Sequence, residues 1–249
     1  MATTIQESFT LPSKGLVYSQ QINPKITLRS MTGEEEMLRL SPSDSEYEVI
    51  AQVIDACIKE ELPISSYDMC LGDFQYLLTR LWEVSYGKEY KIVIQCPNCN
   101  EITEAVVNLD AIELHELEDG EFNLDSEIEL PVSKHKVKLT LQTPRLLDIV
   151  KEKAKNQRIK MKNNYNYELM FSAMSLISDV DGKTQNEMSK EAFVKKLPVK
   201  DIYYIINKGD ELNRKVGLDN SVIAKCSHCN YMIVTNFRLD PKFYGPQNS

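Results

Sequence analysis

The chain has 249 residues, 42% hydrophobic and 27% charged, which suits a substantial core and excludes global disorder. Its 29 basic and 37 acidic residues give a net charge of −8. That argues against a nucleic-acid binder, which needs a cationic surface to neutralise phosphates.

Residues 1–25 show no sustained period and read as an extended N-terminal arm with a turn at Leu11-Pro12-Ser13-Lys14-Gly15. Such an arm either adds a strand to a partner's sheet or packs on the protein's own body. The leading Met-Ala-Thr-Thr-Ile-Gln-Glu-Ser lacks the order of a signal peptide, and no apolar run approaches the ~20 residues of a membrane span. A soluble, intracellular protein with reduced thiols is the expectation.

Ile26–Arg29 reads as a short strand, and Thr32-Gly33-Glu34-Glu35 as a capping box. Ile50, Val53, Ile54 and Cys57 recur at helical spacing, making Cys57 a buried small hydrophobe. Phe74, Leu77, Leu78 and Leu81 repeat the pattern, with Asp73 as N-cap and Gly87 as stop signal. Cys70, without a partner cysteine nearby, reads as structural.

From Tyr90 the period shifts towards two. Lys91–Gln95 and Ile102–Leu109 predict a hairpin tipped by Cys96-Pro97-Asn98-Cys99. Phe122, Leu124, Ile128 and Leu130, then Val137, Leu139 and Leu141, predict a half-buried antiparallel hairpin turning near Pro131–Lys134. Thr143-Pro144 starts a helix as N-cap and first helical position. Its cluster of Lys151, Lys153, Lys155, Arg158, Lys160 and Lys162 interleaves with Glu152 and reads as a solvated face. Further helices are predicted over Tyr167–Ser178, through Ala192–Val194, and from Pro198 to about Val216. Val222–Ala224 and Tyr231–Phe237 flank a second tip, Cys226-Ser227-His228-Cys229.

The fold class is therefore α+β. Residues 26–110 carry helices and the first hairpin, 111–218 an inserted β/α subdomain, and 219–249 the second hairpin and a tail. Four of the six cysteines, Cys96, Cys99, Cys226 and Cys229, form the two Cys-x-x-Cys pairs. Two thiolate pairs at hairpin tips are the layout of a zinc knuckle, and Zn²⁺ takes four such ligands in a closed tetrahedron. A closed Cys₄ site holds structure together and leaves no position for substrate.

The pairs stand unusually far apart, with the whole of 100–225 between them. Two separate disulfides would need an oxidising compartment, and a thioredoxin-like pair would open a helix. Independent use of the pairs, for example across a dimer, stays open.

No catalytic constellation emerges. His115 lacks the second histidine of a zinc-protease helix, His135 falls at a hairpin turn, and His228 sits inside the second tip. Gly182-Lys183-Thr184 resembles the end of a phosphate loop, but the required earlier glycine is Ile177. Asp179-Val180-Asp181-Gly182 lacks the later ligands of a calcium loop and reads as a helix-terminating turn. Glu34, Glu35 and Glu36 are expected on the surface, and the protein is expected not to be an enzyme.

Three segments occur in order: Leu11-Pro12-Ser13-Lys14-Gly15 with Tyr18; Leu28-Arg29-x-Met31-Thr32-x-Glu34-Glu35; and Tyr86-Gly87-x-x-Tyr90 just before Cys96-Pro97-x-Cys99. This order resembles the baseplate hub proteins of T4-like contractile-tailed bacteriophages, and among them those that assist hub assembly. The resemblance spans most of the first 100 residues and returns at the final tip. It implies a non-enzymatic, chaperone-like assembly factor in the cytoplasm of the infected bacterium, with other hub proteins as partners. A structural hub subunit kept in the virion is the alternative it also implies. A zinc-ribbon nucleic-acid regulator is a second alternative, disfavoured by the charge.

Overall fold

The computed structural model describes residues 4–118, 126–219 and 221–237. The expected strand residues Phe122 and Leu124, and the tail beyond Phe237, lie outside the described residues.

Strands β1 (Gln6–Thr10) and β2 (Lys25–Arg29) pair antiparallel, Phe9 opposite Ile26. Part of the expected arm is thus a strand in the chain's own sheet. Between the strands Leu11 and Ser13 are fully buried.

Helix α1 (Gly33–Arg39) starts at Thr32 with a complete capping box. Glu35 closes it by accepting the Thr32 N–H at 2.8 Å. Helix α3 (Leu71–Tyr86) packs over β2 and against helix α2 (Glu46–Cys57). Val53 and Ile54 of α2 meet Phe74, Leu77, Leu81 and Trp82 of α3 and Ile26 and Leu28 of β2 in the first core, which also buries Cys57. Gly87 ends α3 at φ 103°, a conformation costly for any residue with a Cβ.

One expectation for α3 is corrected. Its N-cap is Cys70, with no side-chain cap bond, and Asp73 lies inside the first turn, fully buried. The arm approaches that turn closely and supplies donors that solvent would otherwise provide, so the carboxylate faces the arm.

Strands β3 (Glu89–Gln95) and β4 (Ile102–Asn108) form the first long hairpin, in uninterrupted register. Beyond it lie β5 (Leu114–His115), β6 (Glu127–Glu129) and β7 (Lys136–Leu139). Helix α4 (Pro144–Met161) is capped by Thr143, whose hydroxyl accepts the Leu146 N–H at 3.2 Å. Then come α5 (Glu168–Leu176), β8 (Ile177–Val180), β9 (Lys183–Thr184), α6 (Glu187–Val194) and α7 (Val199–Asn213). Short β10 (Gly217–Leu218) returns to pair with β5, and β11 (Ser221–Lys225) and β12 (Met232–Asn236) form the second hairpin.

The sheet β6-β7-β8-β9 and the surrounding helices build a second core around Val137, Leu139, Ala173, Met174, Ile177 and Ile205. The helix expected to reach Ser178 stops at Leu176, because β-branched Ile177 and Val180 pair with β7 instead. The motif expected to end a helix is a hairpin turn: Asp181 (φ 50°) and Gly182 (φ 75°) both take the left-handed conformation of a two-residue loop.

The insert is tied firmly to the first core. Gly72 in α3 and Gly217 in β10 touch backbone to backbone, and a Cβ on Gly72 would lie 2.1 Å from the Val216 carbonyl oxygen. Asp148 of α4 accepts from the Glu48 N–H at 3.2 Å and the Tyr67 hydroxyl at 3.0 Å. The observed class is α+β, mixing helices with small antiparallel sheets. No helix among the described residues is long and apolar enough to cross a membrane.

Candidate metal centre

The two hairpin tips repeat one local structure. At the first, Cys96 N–H donates to Glu101 O at 2.9 Å and Asn100 N–H to Cys96 O at 2.8 Å. At the second, Cys226 N–H donates to Tyr231 O at 2.9 Å and Asn230 N–H to Cys226 O at 3.0 Å. Asn100 (φ 61°) and Asn230 (φ 60°) both turn left-handed, a conformation asparagine tolerates better than most residues. The recurrence explains the sequence: each pair needs a short turn and a left-handed residue just after its second cysteine.

The tips meet. Thr103 and Ser227 link them, the Ser227 N–H donating to Thr103 Oγ1 at 3.0 Å. All four sulfurs lie within 4.8 Å of one another. The closest contacts cross between the tips, Cys96 Sγ to Cys229 Sγ at 3.6 Å and Cys99 Sγ to Cys226 Sγ at 3.7 Å. None of these cysteines is in a disulfide. Cys96 and Cys226 are fully buried, and Ile233 packs against them. One chain therefore assembles all four sequence-expected ligands, and the cluster could hold a metal ion.

The donor set fits a tetrahedral thiophilic ion. Four sulfurs about 2.3 Å from a zinc ion would stand about 3.8 Å apart, close to the crossing distances observed. The local donors favour thiolate at one position: the Asn98 amide, 3.5 Å from Cys229 Sγ, and the Tyr231 N–H pull the Cys229 thiol down to about 6. At Cys99 the Glu101 N–H pulls the same way, but burial and three neighbouring sulfurs outweigh it and push the thiol up to about 12. Four thiols this close cannot all ionise without a cation among them.

The bases of the hairpins are held by contacts of their own, away from the cysteine cluster. Tyr90 at the start of β3 and Phe237 just after β12 stack edge to face with centroids 5.1 Å apart, and Tyr90 also meets Trp82. Each hairpin is thus joined to the first core at its base and to the other hairpin at its tip.

His135 Nδ1 is 2.7 Å from Asp181 Oδ2, bracing the turn of the β-sheet. His115 lies 3.9 Å from Asp219, and His228 is exposed at the second tip. Glu35, expected on the surface, is buried and paired with Arg29 at 2.7 Å and 3.0 Å. Arg29 beside it, with Thr32 assisting, holds its carboxyl down at about 2.

One cluster escaped the sequence reading. Asp73 accepts from the Ser13 N–H at 2.9 Å, from the Ser13 hydroxyl, and from the Tyr18 hydroxyl at 2.6 Å. The Cys70 N–H in turn donates to the Tyr18 oxygen at 3.2 Å. Burial pushes Asp73, Tyr18 and Cys70 upwards. The signal was present in the spacing Leu11-Pro12-Ser13-Lys14-Gly15 with Tyr18, which is the half of this latch carried by the arm.

A family model described as T4 bacteriophage base plate protein matches residues 3–239, both cysteine tips and the insert included. Comparison with curated proteins and with solved structures gave no match.

Proposed function

The chain belongs to the T4 bacteriophage base plate protein family, and from that premise we propose that it is a non-enzymatic, chaperone-like factor promoting assembly of the baseplate hub. Its partners are other phage hub proteins, and its place of work is the cytoplasm of the infected bacterium. The observation that carries this reading is a match running through nearly the whole chain, combined with a four-cysteine cluster built for holding structure. The clustered charges support a non-enzymatic reading, because Glu35, Asp73 and Asp148 are engaged in cap, latch and helix contacts.

The ion proposed for the cluster is Zn²⁺, held by Cys96, Cys99, Cys226 and Cys229. Bound there it would supply four bonds between the hairpin tips and no reactive position. The chain's own residues do the rest. Thr103 and Ser227 align the tips, Asn98 orients Cys229, and Tyr90 with Phe237 fixes the bases. Together they clamp both ends of the insert, so that the surface presented to partners is rigid before assembly. Structural zinc contributes roughly 10–16 kcal/mol in small peptides, and less where other packing supports the same segments.

Complementation tests the reading. A phage lacking its native copy, grown in a host supplying Cys96→Ser, should leave tails without hubs although α1 to α3 stay folded. Normal tails from that variant would sink the structural-metal account. The family description favours one second reading, a subunit retained in the virion. Recovery of the protein in stoichiometric amount from purified particles would select it.

A further inference from the structure

The four clustered cysteines differ in access and in hydrogen bonding. Cys96 and Cys226 are fully buried, whereas Cys99 and Cys229 are half-buried. A reagent arriving from solvent therefore meets only the second cysteine of each tip.

The donors at those two sulfurs are unequal. The backbone supplies one to each, the Glu101 N–H at Cys99 and the Tyr231 N–H at Cys229. Cys229 also receives a side chain from the opposite tip, the Asn98 Nδ2 donating to its Sγ at 3.5 Å. The place of Asn98 in Cys96-Pro97-Asn98-Cys99 is held by His228 in Cys226-Ser227-His228-Cys229. The left-handed Asn100 (φ 61°) and Asn230 (φ 60°) and the crossing sulfur distances of 3.6 Å and 3.7 Å match an approximate two-fold between the tips. His228 thus holds the position of a donor to Cys99, yet it is exposed and makes no hydrogen bond among the described residues.

With a metal ion among them all four sulfurs are thiolates, so protonation does not rank them. Access and hydrogen bonding do. A donor aimed at a thiolate stabilises its negative charge, and that stabilisation fades as the sulfur's electron pair passes into a new bond. Each donor therefore slows attack by the sulfur it holds. Cys229 has the backbone donor and Asn98, and Cys99 has the backbone donor alone.

We propose that Cys99 is the modification site of the cluster, the sulfur at which soft electrophiles of the Michael-acceptor class react, and that Asn98 is a positioning residue that directs them there by guarding Cys229. In the reaction the Cys99 sulfur gives an electron pair to the β-carbon of the acceptor and a C–S bond forms. The C=C π pair moves to the α-carbon, which takes a proton from water. Cys99 becomes an uncharged thioether, so the first tip keeps one thiolate, Cys96, and the second tip keeps two. The clasp then opens on the side of the first hairpin. This inference rests on the zinc proposed above.

The test uses the full chain, purified with its zinc, and N-ethylmaleimide in modest excess. Ligation slows every sulfur, so the order of reaction is followed over hours by peptide mapping in a mass spectrometer. A chromogenic chelator reads zinc release in the same samples. The first adduct should form on Cys99, about tenfold ahead of Cys229, with zinc released in step with it. Asn98→Leu removes the crossing donor and should bring Cys229 to within about twofold of Cys99, while the rate at Cys99 stays as it was. General loosening of the tips would instead speed both. First reaction at Cys229, Cys96 or Cys226, equal rates at Cys99 and Cys229 in the unsubstituted chain, or an order unmoved by Asn98→Leu would overturn the proposal. The map of the unsubstituted chain decides by itself if the variant fails to hold zinc. Protein carrying no zinc as purified defeats the metal reading, whereas zinc-loaded protein that reacts first elsewhere defeats only the assignment of Cys99.

Discussion

Replacing Glu35 by glutamine tests how the start of α1 is held. Glu35 is buried, receives both guanidinium nitrogens of Arg29, and accepts the Thr32 N–H. Its carboxyl falls from the ordinary 4.5 to about 2. A folded-state value below the unfolded one means stabilisation that is complete above about 4.5 and lost as pH falls through about 2. The shift corresponds to about 3 kcal/mol near neutral pH and about 1 kcal/mol near pH 3. In Glu35→Gln, Arg29 keeps the Ala56 and Ser30 carbonyls as acceptors, so the loss is that of the ion pair and not of the arginine's burial. Urea unfolding of both proteins across this pH range should show curves about 3 kcal/mol apart at neutrality that converge in acid. A gap of the same size near pH 7 and near pH 3 would refute the assignment of that stability to the Arg29–Glu35 pair.

Asp73→Ala leaves two buried hydroxyls and a backbone N–H without their acceptor and should cost about 3–5 kcal/mol, read by urea unfolding. It should also speed proteolysis within residues 11–18, while Asp73→Asn keeps the acceptor and costs less. Gly72→Ala forces a Cβ against the Val216 carbonyl and should cost at least about 1–3 kcal/mol, seen as a lowered Tm. An unchanged Tm there would mean that α3 and β10 separate easily. Phe237→Ala should loosen the base of the second hairpin by about 3 kcal/mol through loss of the Tyr90 contact, while leaving the metal bound.

The elements easiest to read from sequence were those governed by local rules. The capping box at Thr32 and Glu35, the stop at Gly87, the Thr143-Pro144 helix start and both cysteine tips follow from backbone chemistry within a few residues. The errors arose where distant segments decide. Asp73 looks like an N-cap until the arm brings Ser13 and Tyr18 to it across more than fifty residues of chain. Glu35 looks solvated until Arg29 of β2 covers it. Ile177 continues a helical pattern and turns into strand only because β7 offers an edge beside it. The convergence of the two cysteine pairs is what a four-ligand zinc site would require, although nothing local to either tip encodes the distance between them.

Metal analysis of protein purified without chelators, paired with a thiol count, tests the account most directly. The account predicts about one zinc ion per chain and no rapidly reacting thiol before denaturation, because Cys57 and Cys70 are buried and the other four are ligands. Protein free of metal, with Cys96, Cys99, Cys226 and Cys229 open to thiol reagents while the fold stays intact, would contradict it.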